Sequence, residues 1–228
     1  MSHFLIVGGS SGIGAALVER LVGDHELTVI SRNPDNQPQG CRLITADVTT
    51  TDLPKISEPI DGIVYCPGSI TLKPFRALSP EDFRSDYEVN VIGATRVLAT
   101  YLSNLRASPQ ASVVLFSTVA VQTGMPNHAS IAAAKGAVEG LTRSLAAEWA
   151  PKIRVNAIAP SLTDTPLAAR LLRTEESVAA AGQRHPMGRI GTPAELAAQA
   201  AFLLSPDSAW VSGQILAVDG GMSSMRRF

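Results

Sequence analysis

The stretch His3-Phe4-Leu5-Ile6-Val7-Gly8-Gly9-Ser10-Ser11-Gly12-Ile13-Gly14 decides the fold. Its nearly continuous apolar run reads as a strand buried on both faces, and residues 12–22 after it have helical periodicity. Between the two, the glycines fall in the pattern G-x-x-x-G-x-G. Glycine tolerates positive φ and lets the backbone approach a ligand, while a helix N-terminus offers free N–H groups and partial positive charge. Strand, glycine-rich turn and helix in that order point to a dinucleotide pyrophosphate site at Gly8, Ser10, Ser11, Gly12, Ile13 and Gly14. A tight turn without a ligand is the alternative.

Working outward, runs rich in Val, Ile and Leu recur at 26–30, 42–45, 60–65, 111–116, 153–158 and 214–218, and helical segments at 80–106, 127–149, 166–181 and 193–204. This alternation predicts one α/β domain over residues 1–228, doubly wound, with a seven-stranded parallel sheet and helices on both faces. Ser79 and Thr192 read as N-caps, each followed by proline at N1. Residues 31–41, with Pro34, Pro38 and Gly40, are too few for a crossover helix and predict a loop.

The 228 residues carry 19 Lys+Arg against 20 Asp+Glu, a net charge of −1, and are 45% hydrophobic and 17% charged. Such a chain buries a large core without metal or disulfide staples, and its apolar content excludes intrinsic disorder. Near-neutral charge leaves no field for a phosphate backbone or an acidic bilayer, so neither nucleic acid nor membrane is an expected partner. Cys41 and Cys66 match no metal-ligand or disulfide spacing, so no metal is expected. The apolar start lacks a basic leader region, and residues 107–134, the longest charge-free stretch, are broken by polar residues; the protein is expected to be soluble and cytoplasmic.

Ser31-Arg32 ends the second run, where many dinucleotide sites carry an acidic residue for the ribose 2′-hydroxyl. An arginine there can meet a 2′-phosphate through charge-assisted bonds, with no carboxylate to repel it. This favours NADP(H) over NAD(H) as cofactor; a solvated loop arginine is the alternative.

The Gly8/Gly12/Gly14 turn, Ala46-Asp47-Val48, Asn90-Val91, Lys135 in an Ala-rich helix, Arg154 through Pro160 and Gly213 through Gly221 stand in order along the chain. Together they resemble the short-chain dehydrogenase/reductase family over nearly the whole length. The resemblance implies a Rossmann-type fold, with Asp47 and Val48 beside the adenine, Cys66, Pro67 and Gly68 along the cofactor, and Lys135 on the nicotinamide ribose. It further implies that Pro160, Ser161, Thr163 and Thr165 bracket the carboxamide and phosphates. A substrate lid over about 161–191 and a homodimer or homotetramer through the 80–106 and 127–149 helices follow as well. The small residues Ala132, Ala133, Ala134, Gly136, Ala137 and Gly140 suit such close packing, and suit burial within one subunit equally.

The chain also departs from the family. Where the family carries a proton-donating Tyr four residues before the Lys, this chain has Ile131, which has no proton to give. Thr118 aligns with the family's Ser and keeps a hydroxyl for a substrate oxygen; Asn90 and Lys135 are retained. His128 is the candidate replacement donor, seven residues and about two helical turns before Lys135. Met125-Pro126-Asn127-His128 followed by Lys135 is similar to the enoyl-thioester reductase branch, where a Tyr stands seven before the Lys. A surface loop residue is the other reading of His128, as a strand-end hydroxyl is of Thr118. The implied function is an NADP(H)-dependent oxidoreductase with a modified proton-transfer site, reducing a small carbonyl or enoyl-thioester substrate. The alternative is a silent NADP(H)-binding homologue acting as sensor or partner subunit.

Overall fold

Val7 stands in register with Ile30 on one side and with Tyr65 on the other, so the ends of three strands meet beside the glycine turn. In the computed structural model, which describes residues 1–33 and 38–225, seven parallel strands form one sheet in the order β3-β2-β1-β4-β5-β6-β7. They are β1 His3–Val7, β2 Glu26–Ser31, β3 Arg42–Thr45, β4 Gly62–Tyr65, β5 Ala111–Phe116, β6 Ile153–Pro160 and β7 Ile215–Val218. The α-helices are α1 Gly12–Leu21, α2 Pro80–Tyr87, α3 Gly93–Ala107, α4 Val119–Thr123, α5 Ala129–Trp149, α6 Glu175–Gln183 and α7 Pro193–Leu204. The connections leaving β1 and β4 run to opposite sides, which opens a crevice at the carboxyl ends of the strands, where ligands of such sheets bind.

Alternate side chains of the central strands feed two cores. Leu5, Val7, Ile63 and Tyr65 pack with α3 and α5 on one face, and Phe4, Ile6, Val29 and Val64 with α1 and α7 on the other. Both faces are therefore apolar, as the unbroken Val/Ile/Leu runs predict for a parallel sheet.

The structure corrects three details of the helical reading. Residues 80–106 do not form one regular helix: Glu88–Ile92 make a π-helical turn between α2 and α3. Residues 166–181 divide into a 3₁₀ turn, Pro166–Leu171, and α6, because Leu172 leaves helical geometry and Thr174 begins a new capping box with Ser177. The third correction concerns residue 127. Asn127 lies at φ +67, and α5 begins only at Ala129, with His128 as its N-cap. Ser79 does cap α2, in a box with Asp82. Of the expected 31–41 loop, residues 34–37 lie outside the described residues, and 39–40 form a turn.

The π-helical turn carries Asn90 to the crevice and leaves Gly93 against Tyr65, whose hydroxyl donates to the Val89 carbonyl at 2.6 Å. A Cβ on Gly93 would collide with that hydroxyl, whereas the next atoms, Val48 Cγ2 and Tyr65 Cζ, stand at 3.3 and 3.4 Å. Gly93→Ala is expected to lower unfolding stability in urea by about 1–3 kcal/mol through overpacking. Adding Tyr65→Phe should recover part of that loss, whereas a larger, additive loss contradicts this account of the turn.

Candidate active site

Helix α1 starts directly on the glycine turn. Gly8 has φ +78 and Gly12 φ +54, and a Cβ on Gly14 would strike the Gly8 carbonyl oxygen. Ser11, the N-cap of α1, is extended and its hydroxyl makes no cap bond, so no side chain blocks the helix N-terminus. Ser31 donates to Ser10 at 2.8 Å and ties the turn to the end of β2. Above these residues runs a groove of about 600 Å³, bordered by Gly8, Ser10, Ser11, Gly12, Ile13, Gly14, Ser31, Arg32, Asp47, Val48, Cys66, Pro67, Gly68 and Thr165. Two hydrogen bonds from Thr49, its hydroxyl at 2.7 Å and its N–H at 2.9 Å, hold the Asp47 carboxyl below its ordinary range, with Arg32 and Arg96 adding to the effect.

A second cavity of about 350 Å³ continues from the groove past Ile13, Cys66, Gly68 and Thr165. Its wall is largely apolar, with Ile70, Leu72, Val119, Met125, Ile131 and Leu162 among the residues that form it, and Thr118, His128, Lys135, Pro160, Ser161 and Thr163 border it too. Thr118 caps α4, its Oγ1 accepting from the Ala120 N–H at 3.3 Å. His128 is half-buried and its Nδ1 lies 2.7 Å from the Pro126 carbonyl. The 3₁₀ turn at 166–171 overhangs both cavities through Leu167.

Lys135 stands where the two cavities meet. Its ammonium is buried and donates to the Phe116 carbonyl at the end of β5, at 2.8 Å. Burial pulls its pKa down to about 8, against the opposing influence of Asp86 and Cys66. Burial also pushes the Cys66 thiol up to about 12, so that residue is an inert part of the floor. Asn90 borders neither cavity directly. Its Nδ2 donates to Ser69 Oγ at 2.9 Å and to the Asp86 carbonyl at 2.7 Å. Its buried Oδ1 has no hydrogen-bond partner among the described residues. That oxygen lies 3.4 Å, and Lys135 Nζ 3.6 Å, from the position a Cβ on Gly68 would take. A buried acceptor left open beside a buried ammonium fits a ligand hydroxyl or amide laid over Gly68. An open helix N-terminus and a side-chain-free groove floor likewise fit a dinucleotide.

Sequence reasoning passed over Asp86. Its fully buried carboxylate accepts from Ser69 and Ser130 at 2.5 Å and from Thr71 at 2.9 Å, and so braces Asn90 and the start of α5. Its spacing of four from Asn90 along the helical 80–106 segment is the signal that could have found it. His185 was passed over as well. It borders the apolar chamber 24 residues beyond Ser161, its hydrogen-bond partner.

Against known proteins, a family model described as enoyl-(acyl carrier protein) reductase matches residues 9–223. The chain is a member of the short-chain dehydrogenase/reductase family. A tropinone reductase homologue of Arabidopsis thaliana is 33% identical over 240 aligned residues, 96% of this chain and 92% of that protein. Among solved structures, the aldohexose dehydrogenase of Thermoplasma acidophilum superposes with TM-score 0.90 at 28% identity, over 100% of this chain and 96% of that one. A gluconate 5-dehydrogenase from Burkholderia cenocepacia, solved with NADP and tartrate, gives 0.88 at 27%, over 99% and 96%. Family membership makes the chain an oxidoreductase by descent. The seven-stranded sheet described above is the family's fold. Among the described residues no helix is long and apolar enough to cross a membrane, and no cluster could hold a metal ion.

The buried ammonium has a measurable consequence. With the folded pKa near 8 and the ordinary value 10.5, the unfolded chain binds the proton more tightly, so stability rises as pH climbs between the two. Lys135→Met is expected to raise Tm at pH 7 by about 2–8 °C, since replacing a buried charge typically returns about 1–2 kcal/mol. The gain should shrink as pH climbs from about 8 towards 10.5, because the folded chain then holds its lysine neutral while the unfolded chain is still losing the proton. A Tm difference that stays constant from pH 7 to 10.5 contradicts this assignment.

Proposed function

We propose that this protein is an NADP(H)-dependent oxidoreductase that reduces a small carbonyl or enoyl-thioester substrate in its apolar chamber, with a proton-transfer site remodelled around Ile131. The observation that carries this reading is the convergence of Lys135 Nζ and Asn90 Oδ1 on Gly68, at the seam between groove and chamber. A nicotinamide dinucleotide, when bound, supplies the hydride.

In this reading the turn from Gly8 to Gly14 and the open N-terminus of α1 hold the pyrophosphate. Arg32 meets a 2′-phosphate, with Ser31 beneath it, and Asp47 and Val48 border the adenine. Cys66, Pro67 and Gly68 floor the groove; Pro160, Ser161, Thr163 and Thr165 close its far end. Lys135 holds the nicotinamide ribose, and Asn90 positions the Gly68 segment. Thr118 donates to the substrate oxygen on which charge develops. The NADP in the Burkholderia cenocepacia neighbour and the NADH in a 3-ketoacyl-(acyl-carrier-protein) reductase of Brucella melitensis support a nicotinamide cofactor, and the exposed Arg32 at the groove supports the 2′-phosphate form.

Ile131 weighs on the substrate. It is 5% exposed, apolar and part of the chamber wall, so no proton comes from this position. Carbonyl reduction without a general acid loses about 10²–10⁴ in rate, whereas an enoyl thioester can carry the charge on an oxygen bonded by Thr118. That difference favours alkene reduction, in keeping with the description of the matching family model. The same residue favours a second reading, a dinucleotide-binding protein without turnover. Assembly as a homodimer or homotetramer through the 80–106 and 127–149 helices belongs to the proposal, and the open surface beside Gly140 on α5 supports it.

Two measurements test the reading. NADPH is expected to bind at least about tenfold more tightly than NADH, and Arg32→Ala to remove that preference, the worth of a charge-assisted pair. Fluorescence titration reads both. In NADPH oxidation with ketones and enoyl thioesters, Lys135→Ala should lose about 100-fold or more. No turnover in the wild type, with turnover gained by Ile131→Tyr, would establish the silent reading instead.

A further inference from the structure

Ser161 follows Pro160 at the end of β6, beside the end of β7, and His185 follows α6 on the chain's way to α7. His185 is only 3% exposed. Its Nδ1 lies 2.8 Å from the Ala181 carbonyl and its Nε2 2.9 Å from Ser161 Oγ. A carbonyl only accepts, so Nδ1 carries a proton in either charge state. In the neutral ring Nε2 is bare and accepts from the Ser161 hydroxyl. In the charged ring Nε2–H donates to Ser161 Oγ, and the serine's own proton turns elsewhere. Within the protein its other neighbour is Met222 Sδ at 3.0 Å, a weak acceptor, and both residues border the chamber.

The Asp219 carboxylate, at the end of β7, accepts from the N–H groups of Gly221 at 2.9 Å and Ser223 at 2.7 Å. Although burial opposes it, these bonds and the charge of His185 hold Asp219 below the ordinary carboxylate range. The neighbouring Arg184 borders the chamber. On the other side of the pair, Ser161 and His185 border a further cavity of about 190 Å³ with Asp219, Arg189, Glu195 and the exposed Met187. Arg189 and Glu195 pair with each other at 2.5 Å, which leaves Asp219 as the unpaired carboxylate among these cavity residues. His185 thus stands between the substrate chamber and a cavity that reaches the surface.

We propose that Ser161, resupplied by His185, delivers the proton that Ile131 cannot, in place of His128. This rests on the oxidoreductase reading above. When hydride from a reduced nicotinamide dinucleotide adds to one carbon of the substrate's C=O or C=C bond, an electron pair is left on the partner atom. The Ser161 O–H bond breaks and a bond from that proton to the partner atom forms. Ser161 Oγ recovers a proton from His185 Nε2, and the neutral ring takes one from water through the outer cavity. Ser161 is the catalytic residue of this step; His185 is a positioning residue that acts through it. His128 lacks a comparable partner: among the described residues its ring meets the carbonyl of Pro126, two residues away, at 2.7 Å.

The test follows NADPH-dependent turnover together with imidazole ¹⁵N NMR of the cofactor-free protein. Ser161→Ala should lower kcat by about 10²–10⁴ with KM within about threefold, and Ser161→Thr should restore most of it. The wild-type rate should fall as pH rises through the titration of His185 read by NMR, and His185→Gln should be slow and lack that limb. The neutral ring should be protonated on Nδ1 alone. Turnover abolished by Lys135→Ala but untouched by Ser161→Ala overturns this proposal and leaves the oxidoreductase reading standing. Loss of the pH limb in His128→Ala rather than His185→Gln, or a neutral His185 protonated on Nε2, also overturns it. A wild type that transfers hydride to no acceptor overturns both.

Discussion

Helix α1 can begin at the end of β1 only because Gly14 has no side chain, since a Cβ there would strike the Gly8 carbonyl. That contact sets the pitch of α1 against the sheet, and α1 in turn packs with α7 to cover one core. It also aims the open N-terminus of α1 along the crevice between β1 and β4. Fold and binding groove therefore rest on the same close approach, one that any side chain larger than hydrogen would break.

Beyond the groove, the chain accepts an energetic cost at one place. An ammonium with a single carbonyl partner is buried at Lys135, beside an acceptor oxygen of Asn90 left open. Neither adds to folding stability, and both face the position over Gly68 where a polar ligand would fit. Asp86, with three hydroxyl donors, braces this corner from behind. Ile131 fits the same scheme from the other side, because an apolar wall strengthens every polar contact made next to it while removing the local source of protons.

The fold was legible because its signals are local. Unbroken apolar runs mark strands buried on both faces, and Ser79 and the glycine turn mark helix starts; these depend on neighbours a few residues apart. Thr174 shows the limit, since its capping box interrupts a pattern that otherwise reads as one helix over 166–181. The π-helical turn at 88–92 and the start of α5 at Ala129 depend on how the chain packs, Gly93 on Tyr65 and Lys73 N–H on the Asn127 carbonyl at 3.1 Å. For the site, the groove residues came from one turn and the strand ends beside it, and were readable together. The Ser161–His185 pair was not, because two loops 24 residues apart bring it together and no periodicity links them. Asn90 was readable as a polar residue in mid-helix, but its reach to the chamber through Ser69 required the structure.

With the apolar Ile131 in the chamber wall, the protein is proposed to transfer hydride all the same. The most direct test is a single turnover with NADPH deuterated at the transferring position, followed by mass spectrometry of an enoyl-thioester or ketone acceptor. One deuterium bound to carbon in the product is expected for each cofactor oxidised. Stoichiometric binding of NADPH with no deuterium in any acceptor would contradict it.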